Sequence, residues 1–210
     1  MPHLHTAFPL RRGNHLTRSD GVCAMELVAW LAGERHSDSP ECASPVIGAF
    51  VRAFNDILPS DAARDYYLRR WVPRLVNTVG SAALEKHRAL LVVDFMVRTL
   101  LPMHLRALGR KAQARELEKL KPIGTTSGAI LAGLAVKQEC DHREAAWAIG
   151  MATRDHPASL WVPVAAKVID QIGEPSAFDR GVGLIARMVE VGTSGGSRRD
   201  LGRRTAPPSL

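Results

Sequence analysis

The 210-residue chain has 46% apolar and 23% charged residues, the composition of a globular protein that can bury a core of its own. No apolar run approaches the roughly 20 residues that cross a bilayer, and the N-terminus lacks a signal-peptide segment, so we expect a cytoplasmic protein without membrane contact. Its formal net charge is +7, and its three cysteines are too few for a disulfide framework.

The N-terminal part of the chain contains signals for one helix. Residues 1–18 are predicted to form a flexible arm. Ser19 or Asp20 is expected to cap the first helix, because short polar side chains accept hydrogen bonds from first-turn amides. Gly33 is expected to end this helix, since glycine readily adopts the left-handed conformation that follows one. A polar loop begins at Gly33.

Serine caps predict the next two helices. Ser44 is expected to cap a helix that has Pro45 at its first position, where the missing amide hydrogen costs nothing. Ser60 is expected to cap a third helix, and Pro73 to kink it. Neither segment shows the alternating pattern of a strand.

The rest of the chain continues the helical pattern. Residues 81–108 form the most apolar segment, which Pro102 is expected to interrupt. Five more helical segments follow, including one that Asp141 is expected to cap, and residues 193–210 are predicted to be a disordered basic tail. The sequence therefore predicts an all-α single domain of about eight or nine helices over residues 19–192.

An internal repeat is suggested when the chain is shifted by 117 residues, which superposes two Cys-x6-Trp-x2-Gly segments, each followed by Asp-x-Pro. We interpret residues 20–80 and 138–192 as two related units, bridged by helices in residues 81–137. Duplicated units often bury each other's apolar faces about a pseudo-two-fold axis. The alternative is a chance similarity in a chain rich in alanine and valine.

If the repeat is genuine, two charged loops approach each other. Arginine and protonated histidine bind anions, while a nearby carboxylate or a neutral histidine can move a proton. The alternative is that both aspartates only form turns before a proline. The predicted catalytic residues of these loops are Asp38, Asp155, His36 and His156, and the predicted substrate-binding residues are Arg35, Arg154, Glu26, Trp30 and Trp147.

Asp94 lies within the most apolar segment, where an unpaired charge is costly. An ion pair with Arg98, one helical turn later, is the favoured interpretation. The alternative is a general base with a raised pKa, which adds Asp94 to the catalytic candidates.

A metal site is a less favoured alternative. Cys23, His36 and Cys42 could supply three zinc ligands, but their spacing matches no established zinc motif. Cys23 also shares a helical face with apolar residues, which is typical of a buried core thiol. No glycine-rich segment has the context of a nucleotide-binding loop, so we expect no cofactor.

Residues 20–58 resemble a pattern that recurs in actinobacterial and actinophage proteins of no settled activity. The pattern combines an Asp-Gly-x-Cys-x-Met-Glu helix, an Ala-Gly-Glu turn, a Ser-Asp-x-Pro loop and a helix that ends in Asn-Asp. The resemblance implies no catalytic residue. It implies a fixed structural frame that includes Cys23, Glu26, Asp38, Pro40, Asn55 and Asp56.

Three functions remain open from the sequence. The first is a non-redox acid–base enzyme, or an enzyme's subunit, that acts on an anionic small molecule by hydrolysis, elimination or cyclisation in specialised metabolism. The second is a helical module that binds a partner protein or a second copy of itself without catalysis. The third, less favoured because no nucleic-acid motif is present, is nucleic-acid association through the arginine-containing tail.

Overall fold

The computed structural model of the chain describes residues 8–17 and 19–196. These residues form a single all-α fold without strands, as predicted; an isolated bridge pairs Leu10 with Val22. The helices are α1 Ala24–Leu31, α2 Pro45–Ile57, α3 Asp61–Leu68, α4 Val72–Leu75, α5 Ala82–Phe95, α6 Leu101–Ala107, α7 Lys111–Lys119, α8 Thr126–Glu139, α9 Arg143–Thr153, α10 Ala158–Trp161, α11 Pro163–Ile172 and α12 Pro175–Gly196.

Residues 8–17 pack against the helices instead of extending as an arm. Leu10 is fully buried, and its amide donates to Asp65 Oδ1 at 3.0 Å. The Arg11 amide donates to Val22 O at 2.8 Å, and Asn55 Nδ2 donates to Arg11 O at 2.9 Å. The ordered domain therefore begins before the predicted boundary at residue 19.

The first helix is capped by Cys23, not by Ser19 or Asp20. The Glu26 amide donates to Cys23 Sγ at 3.4 Å, while the Cys23 amide donates to Glu26 Oε2 at 2.7 Å. This reciprocal pair is a capping box in which a thiol replaces the usual hydroxyl. Asp20 instead closes a local turn. The predicted helix end is confirmed by Gly33, which has φ +74°.

Serine caps start α2 and α3 as predicted. Ser44 Oγ accepts from the Ile47 amide at 3.2 Å, and Ser60 Oγ accepts from the Ala63 amide at 3.1 Å. The predicted kink at Pro73 is wrong, because Pro73 lies in the first turn of the separate short helix α4. The cap of α9 is His142, whose Nδ1 accepts from the Ala145 amide, and not Asp141.

The most apolar segment forms α5 and α6, which are continuous through a π-helical turn over Met96–Leu100. Pro102 lies in the first turn of α6. Pro102 has no amide hydrogen for an α-helical hydrogen bond to the preceding turn. The predicted interruption is therefore a local change to π-helical geometry, and the helix does not end there. Pro163, which also lacks an amide hydrogen, separates α10 from α11, although the sequence predicts one helix there.

Helix α2 lies at the centre of the domain and contacts α1, α5, α10, α11 and α12. Its Phe50 and Phe54 are fully buried, and their rings stack at 5.6 Å between centroids. Gly181 of α12 allows the close approach: a Cβ at this position would lie 2.7 Å from the Phe54 ring. The aromatic face of α2 thus fixes α12 on the core.

The internal duplication is not shown by the structure. Helices α2 and α11 occupy corresponding sequence positions and pack together. However, Gly33 follows the end of α1, whereas the aligned Gly150 lies inside α9. Cys23 caps the start of a helix, whereas the aligned Cys140 lies at the end of one.

The C-terminal helix α12 extends to Gly196, so it includes the first residues of the predicted tail. Residues 197–210 of that tail lie outside the described part of the chain. Among the helices that are described, none combines the length and apolar character needed to cross a membrane.

Candidate functional site

The two charged loops line a common cavity of about 830 Å³, which we call the loop cavity. Residues 39–41 of the first loop form one side. Residues 155–157 of the second loop and the first residues of α10 form another side, and the N-terminal parts of α2 and α5 lie between them. Segments of both charged loops thus line one cavity, but several of the residues that the sequence analysis named in these loops do not.

Small side chains leave the loop cavity open. On α2, Pro45 and Gly48 lie one turn apart and both line the cavity. On α5, Ala82 and Ala89 line it as well. Because close packing normally fills such space with larger side chains, this pattern creates a concave surface between the helices.

A buried polar network supports the inner wall. Ser44 Oγ donates to Glu85 Oε2 at 2.5 Å, and Arg88 Nη1 contacts Glu85 Oε1 at 2.6 Å. Arg88 is only 1% exposed, and it also donates to Thr78 O and to Met188 O. The guanidinium thus neutralises Glu85 and holds α5 against α12.

The mouth of the cavity carries an ion pair and a histidine. Lys86 Nζ on α5 lies 3.1 Å from Asp155 Oδ1. Both side chains are exposed, and His156 beside them is exposed as well. Trp161 Nε1 donates to His156 O at 3.3 Å, which fixes this loop to α10. Titratable groups are therefore held at the entrance, where a ligand would pass.

Arg52 is a partly exposed cation that lines the loop cavity. Its side chain is 25% exposed, and Nη1 donates to Asp38 O at 3.0 Å. Its Nε lies 4.0 Å from the Asp38 carboxylate. A guanidinium has five N–H donors, so this geometry leaves donors available for an anionic group.

The Asp38 carboxylate is not part of the loop cavity. Asp38 lines a smaller cavity of about 350 Å³, together with Asn14 and Cys23, and Arg52 lies between the two cavities. Asp38 and Asp155 therefore do not face each other, and the predicted pair of carboxylates in one site is not formed. Arg35 is exposed and is not among the residues that line the loop cavity.

Glu26 and His36 belong to a buried structural cluster. Glu26 is 1% exposed and accepts from the amide and the Nδ1 of His15, the latter at 2.8 Å. His36 Nε2 donates to His15 O at 3.0 Å and lies 3.7 Å from Glu26 Oε1. Burial alone would raise the pKa of Glu26, but hydrogen bonds from the Cys23 and His15 amides and from the His15 ring lower it below its ordinary value. Trp30 is half-buried against Phe8.

Arg154 and Trp147 lie at a different cavity. This Trp147 cavity, of about 540 Å³, lies between the end of α8 and α9, and Lys137 and Arg143 also line it. Arg154 and Asp155 are neighbours in sequence, yet they open to different cavities. The predicted binding residues and catalytic residues of this loop are thus separated.

Asp94 has the structural partners that the favoured interpretation expects. It is 7% exposed, and Oδ1 accepts from Arg98 Nη1 at 3.0 Å and from the Ile123 amide at 2.9 Å. Arg187 Nη2 lies 3.8 Å from Oδ2. Asp94 therefore connects α5 to the segment before α8 and does not line the loop cavity.

The predicted zinc ligands are not brought together. Among the described residues, no three His, Cys, Asp or Glu side chains are arranged to hold a metal ion. Cys23 serves as a helix cap, and burial raises the pKa of its thiol to about 12. Burial also raises the pKa of Cys42. Neither thiol is therefore set up as a thiolate ligand or nucleophile.

Comparisons of the chain with protein-family models, with curated proteins and with solved structures found no match. The resemblance of residues 20–58 to actinobacterial and actinophage proteins thus stays a prediction.

Arg52, Lys86 and Glu85 are site residues that the sequence reasoning missed. Each is a charged residue within a helix, a pattern that is typical of a solvent-exposed face. The available signal was their periodicity: each lies on the same helical face as a glycine or an alanine, which is where a concave surface can form.

Proposed function

We propose that the protein is an enzyme, or an enzyme's subunit, that binds a small molecule with an apolar body and one anionic group in the loop cavity. The reaction is non-redox acid–base chemistry on that molecule. The observation that carries the proposal is the meeting of the two charged loops at one cavity, with a partly exposed arginine at its wall and titratable groups at its mouth.

The apolar part of the ligand is accommodated by the alanine, proline and tryptophan side chains of the cavity wall. Its anionic group pairs with Arg52 and Lys86. One nearby carboxylate, that of Glu85, is already neutralised by Arg88, so it does not cancel the attraction of Arg52 for an anion.

Proton transfer is assigned to the second loop. An imidazole can both donate and accept a proton, so His156 suits the role of general acid or base. When the ligand's anion takes Lys86 as its partner, Asp155 is released and can accept a proton. Asp38 was also named as a catalytic candidate by the sequence analysis. Because Asp38 does not line the loop cavity, we assign proton transfer to Asp155 and His156.

Binding is tested with a panel of small aryl and alkyl carboxylates and phosphates, each paired with its uncharged amide or alcohol. We expect charged members to raise the melting temperature and their uncharged counterparts to have no effect. Arg52→Gln should weaken the best ligand about tenfold or more, because it removes a charge-assisted hydrogen bond. Arg180→Gln, at an exposed arginine of α12, is the matched control.

Three outcomes contradict the proposal. They are equal binding of charged and uncharged members, unchanged affinity in Arg52→Gln, and no binding by any member at millimolar concentration. If a ligand is found, NMR spectra of the ligand incubated with the protein show whether it is converted. Conversion should be lost in His156→Gln and kept in the Arg180→Gln control.

A further inference from the structure

We propose that the outer face of α8, together with Trp147 of α9 and the cations around it, is a docking surface for an acidic amphipathic helix of a partner protein. We call this the α8–α9 surface, formed by Ile130, Leu131, Leu134, Lys137, Trp147 and Arg154. It is separate from the loop cavity and does not depend on the proposed catalytic function.

Helix α8 buries two alanines and Val136 and exposes its isoleucine and both of its leucines. Ala129 and Ala132 are buried, whereas Ile130, Leu131 and Leu134 are 51%, 67% and 58% exposed. A helix that packs only within its own domain normally turns its large apolar side chains inward. The reversed pattern therefore indicates that the large side chains of α8 are covered by another molecule.

The reversal is made possible by close packing of α8 on α9. A Cβ on Gly133 would lie 3.1 Å from Ile149 Cγ2, so the glycine allows the two helices to approach closely. Because the small side chains are used for this contact, the leucines and Ile130 are left on the opposite side. The fold therefore fixes the outward position of Ile130, Leu131 and Leu134.

Trp147 continues the apolar surface onto α9. Its side chain is 49% exposed and lines two cavities, the Trp147 cavity of about 540 Å³ and a second one of about 510 Å³ beside Pro163 and Val164. Lys137 lies one turn after Leu134 and also lines the Trp147 cavity. An exposed tryptophan between two hollows is a typical interface anchor.

The charges of the α8–α9 surface specify the partner. Lys137, Arg143 and Arg154 are exposed and line the Trp147 cavity, which is also lined by one exposed carboxylate, that of Asp141. None of the three cations forms an ion pair with a carboxylate in the described part of the chain, so cations outnumber carboxylates at this cavity. A partner that covers the leucines with an apolar face and presents carboxylates at the rim satisfies both features.

A second copy of this chain fits less well. A two-fold contact would place the same patch opposite itself and bring the two sets of unpaired cations together, which costs free energy. A nucleic acid would satisfy the cations but would leave the isoleucine and leucine stripe in water. The acidic amphipathic helix is the occupant that uses the whole surface.

The test uses a fluorescein-labelled synthetic peptide with leucines at i, i+3, i+4 and i+7 spacing and glutamates elsewhere, titrated with the full-length protein by fluorescence anisotropy. We expect saturable binding that weakens with added salt. Replacing Leu131 and Leu134 together by serine should reduce the affinity at least about tenfold. Arg154→Glu should reduce the affinity and flatten the salt dependence.

Matched controls are Tyr66→Ser, at a residue of α3 that is 75% exposed, and Arg180→Glu on α12. Both should bind like the unchanged protein. The inference is overturned if the glutamate peptide does not bind, if a peptide with lysines in place of the glutamates binds equally, or if the double serine variant keeps its affinity. It is also overturned if sedimentation shows a dimer that the serine variant dissociates, or if a DNA duplex binds with an affinity that only Arg154→Glu reduces.

Discussion

Lys86 and Asp155 lie 69 residues apart in the chain and form an ion pair, with Nζ 3.1 Å from Oδ1, at the mouth of the loop cavity. The pair joins the first turns of α5 to the loop after α9. Asp155 has φ +56°, a left-handed conformation that aspartate and asparagine tolerate better than most residues. A charged contact therefore links these two elements at the mouth of the cavity.

Asp155→Asn should separate catalysis from stability. Exposed ion pairs contribute little, so we expect the free energy of unfolding to change by less than about 1 kcal/mol. Asparagine also accepts the left-handed backbone of this position. Conversion of a bound ligand should be lost, because the amide cannot accept a proton. Urea unfolding and ligand conversion measured on the same protein preparation check both parts, and unchanged conversion would remove Asp155 from the mechanism.

Arg88→Met should be strongly destabilising, although it lies behind the cavity wall. The substitution leaves Glu85 without its cation and removes hydrogen bonds to two buried carbonyl groups. Breaking a buried pair in this way costs about 3–5 kcal/mol. Arg187→Met is the control, because Arg187 is 47% exposed and its loss should cost under about 1 kcal/mol. Equal urea midpoints for the two variants would contradict the role of Arg88.

Glu26 should make the protein sensitive to acid. Its pKa is lower in the folded protein than its ordinary value of 4.5, so the stability it contributes is fully present above that value. This contribution is lost as the pH falls through the folded-state pKa. Glu26→Gln should lower the free energy of unfolding at neutral pH by about 2 kcal/mol and reduce its decline below pH 4.5.

Unfolding by urea at a series of pH values measures this effect. Glu174→Gln, at an exposed glutamate, serves as the control and should leave the pH dependence unchanged. The same acid-dependent decline in Glu26→Gln as in the unchanged protein would show that another group is responsible.

The helix caps show where local sequence was sufficient. Ser44 and Ser60 cap their helices as predicted, since each contact spans only three residues. Cys23 was missed because cysteine is a rare cap, and because Ser19 and Asp20 stand nearby with better capping side chains. Its selection depends on the distant contacts of residues 8–17, which local signals do not contain.

The candidate site, too, could be predicted only in part from local sequence. The charged loops were found from their composition, and they do line one cavity. Their side chains could not be assigned, because a single residue step turns Arg154 and Asp155 to different cavities. Arg52 was missed because only the packing of α2 against the first loop distinguishes it from an ordinary exposed arginine.

Asp94→Asn should affect the fold and leave ligand binding unchanged. The amide weakens the contacts with Arg98 and Ile123, which should lower the free energy of unfolding by about 1–3 kcal/mol. Since Asp94 does not line the loop cavity, the affinity for the best anionic ligand should stay within experimental error of the unchanged protein. A loss of affinity without a loss of stability would restore Asp94 as a site residue.

Amide chemical-shift mapping with the best anionic ligand tests the loop cavity most directly. We expect the largest shifts at residues 39–41 and 155–159 and at the Arg52 side-chain Nε–H, with little change around Trp147. Shifts confined to Lys137, Arg143 and Trp147, or spread thinly over the surface, would contradict the loop cavity as the binding site.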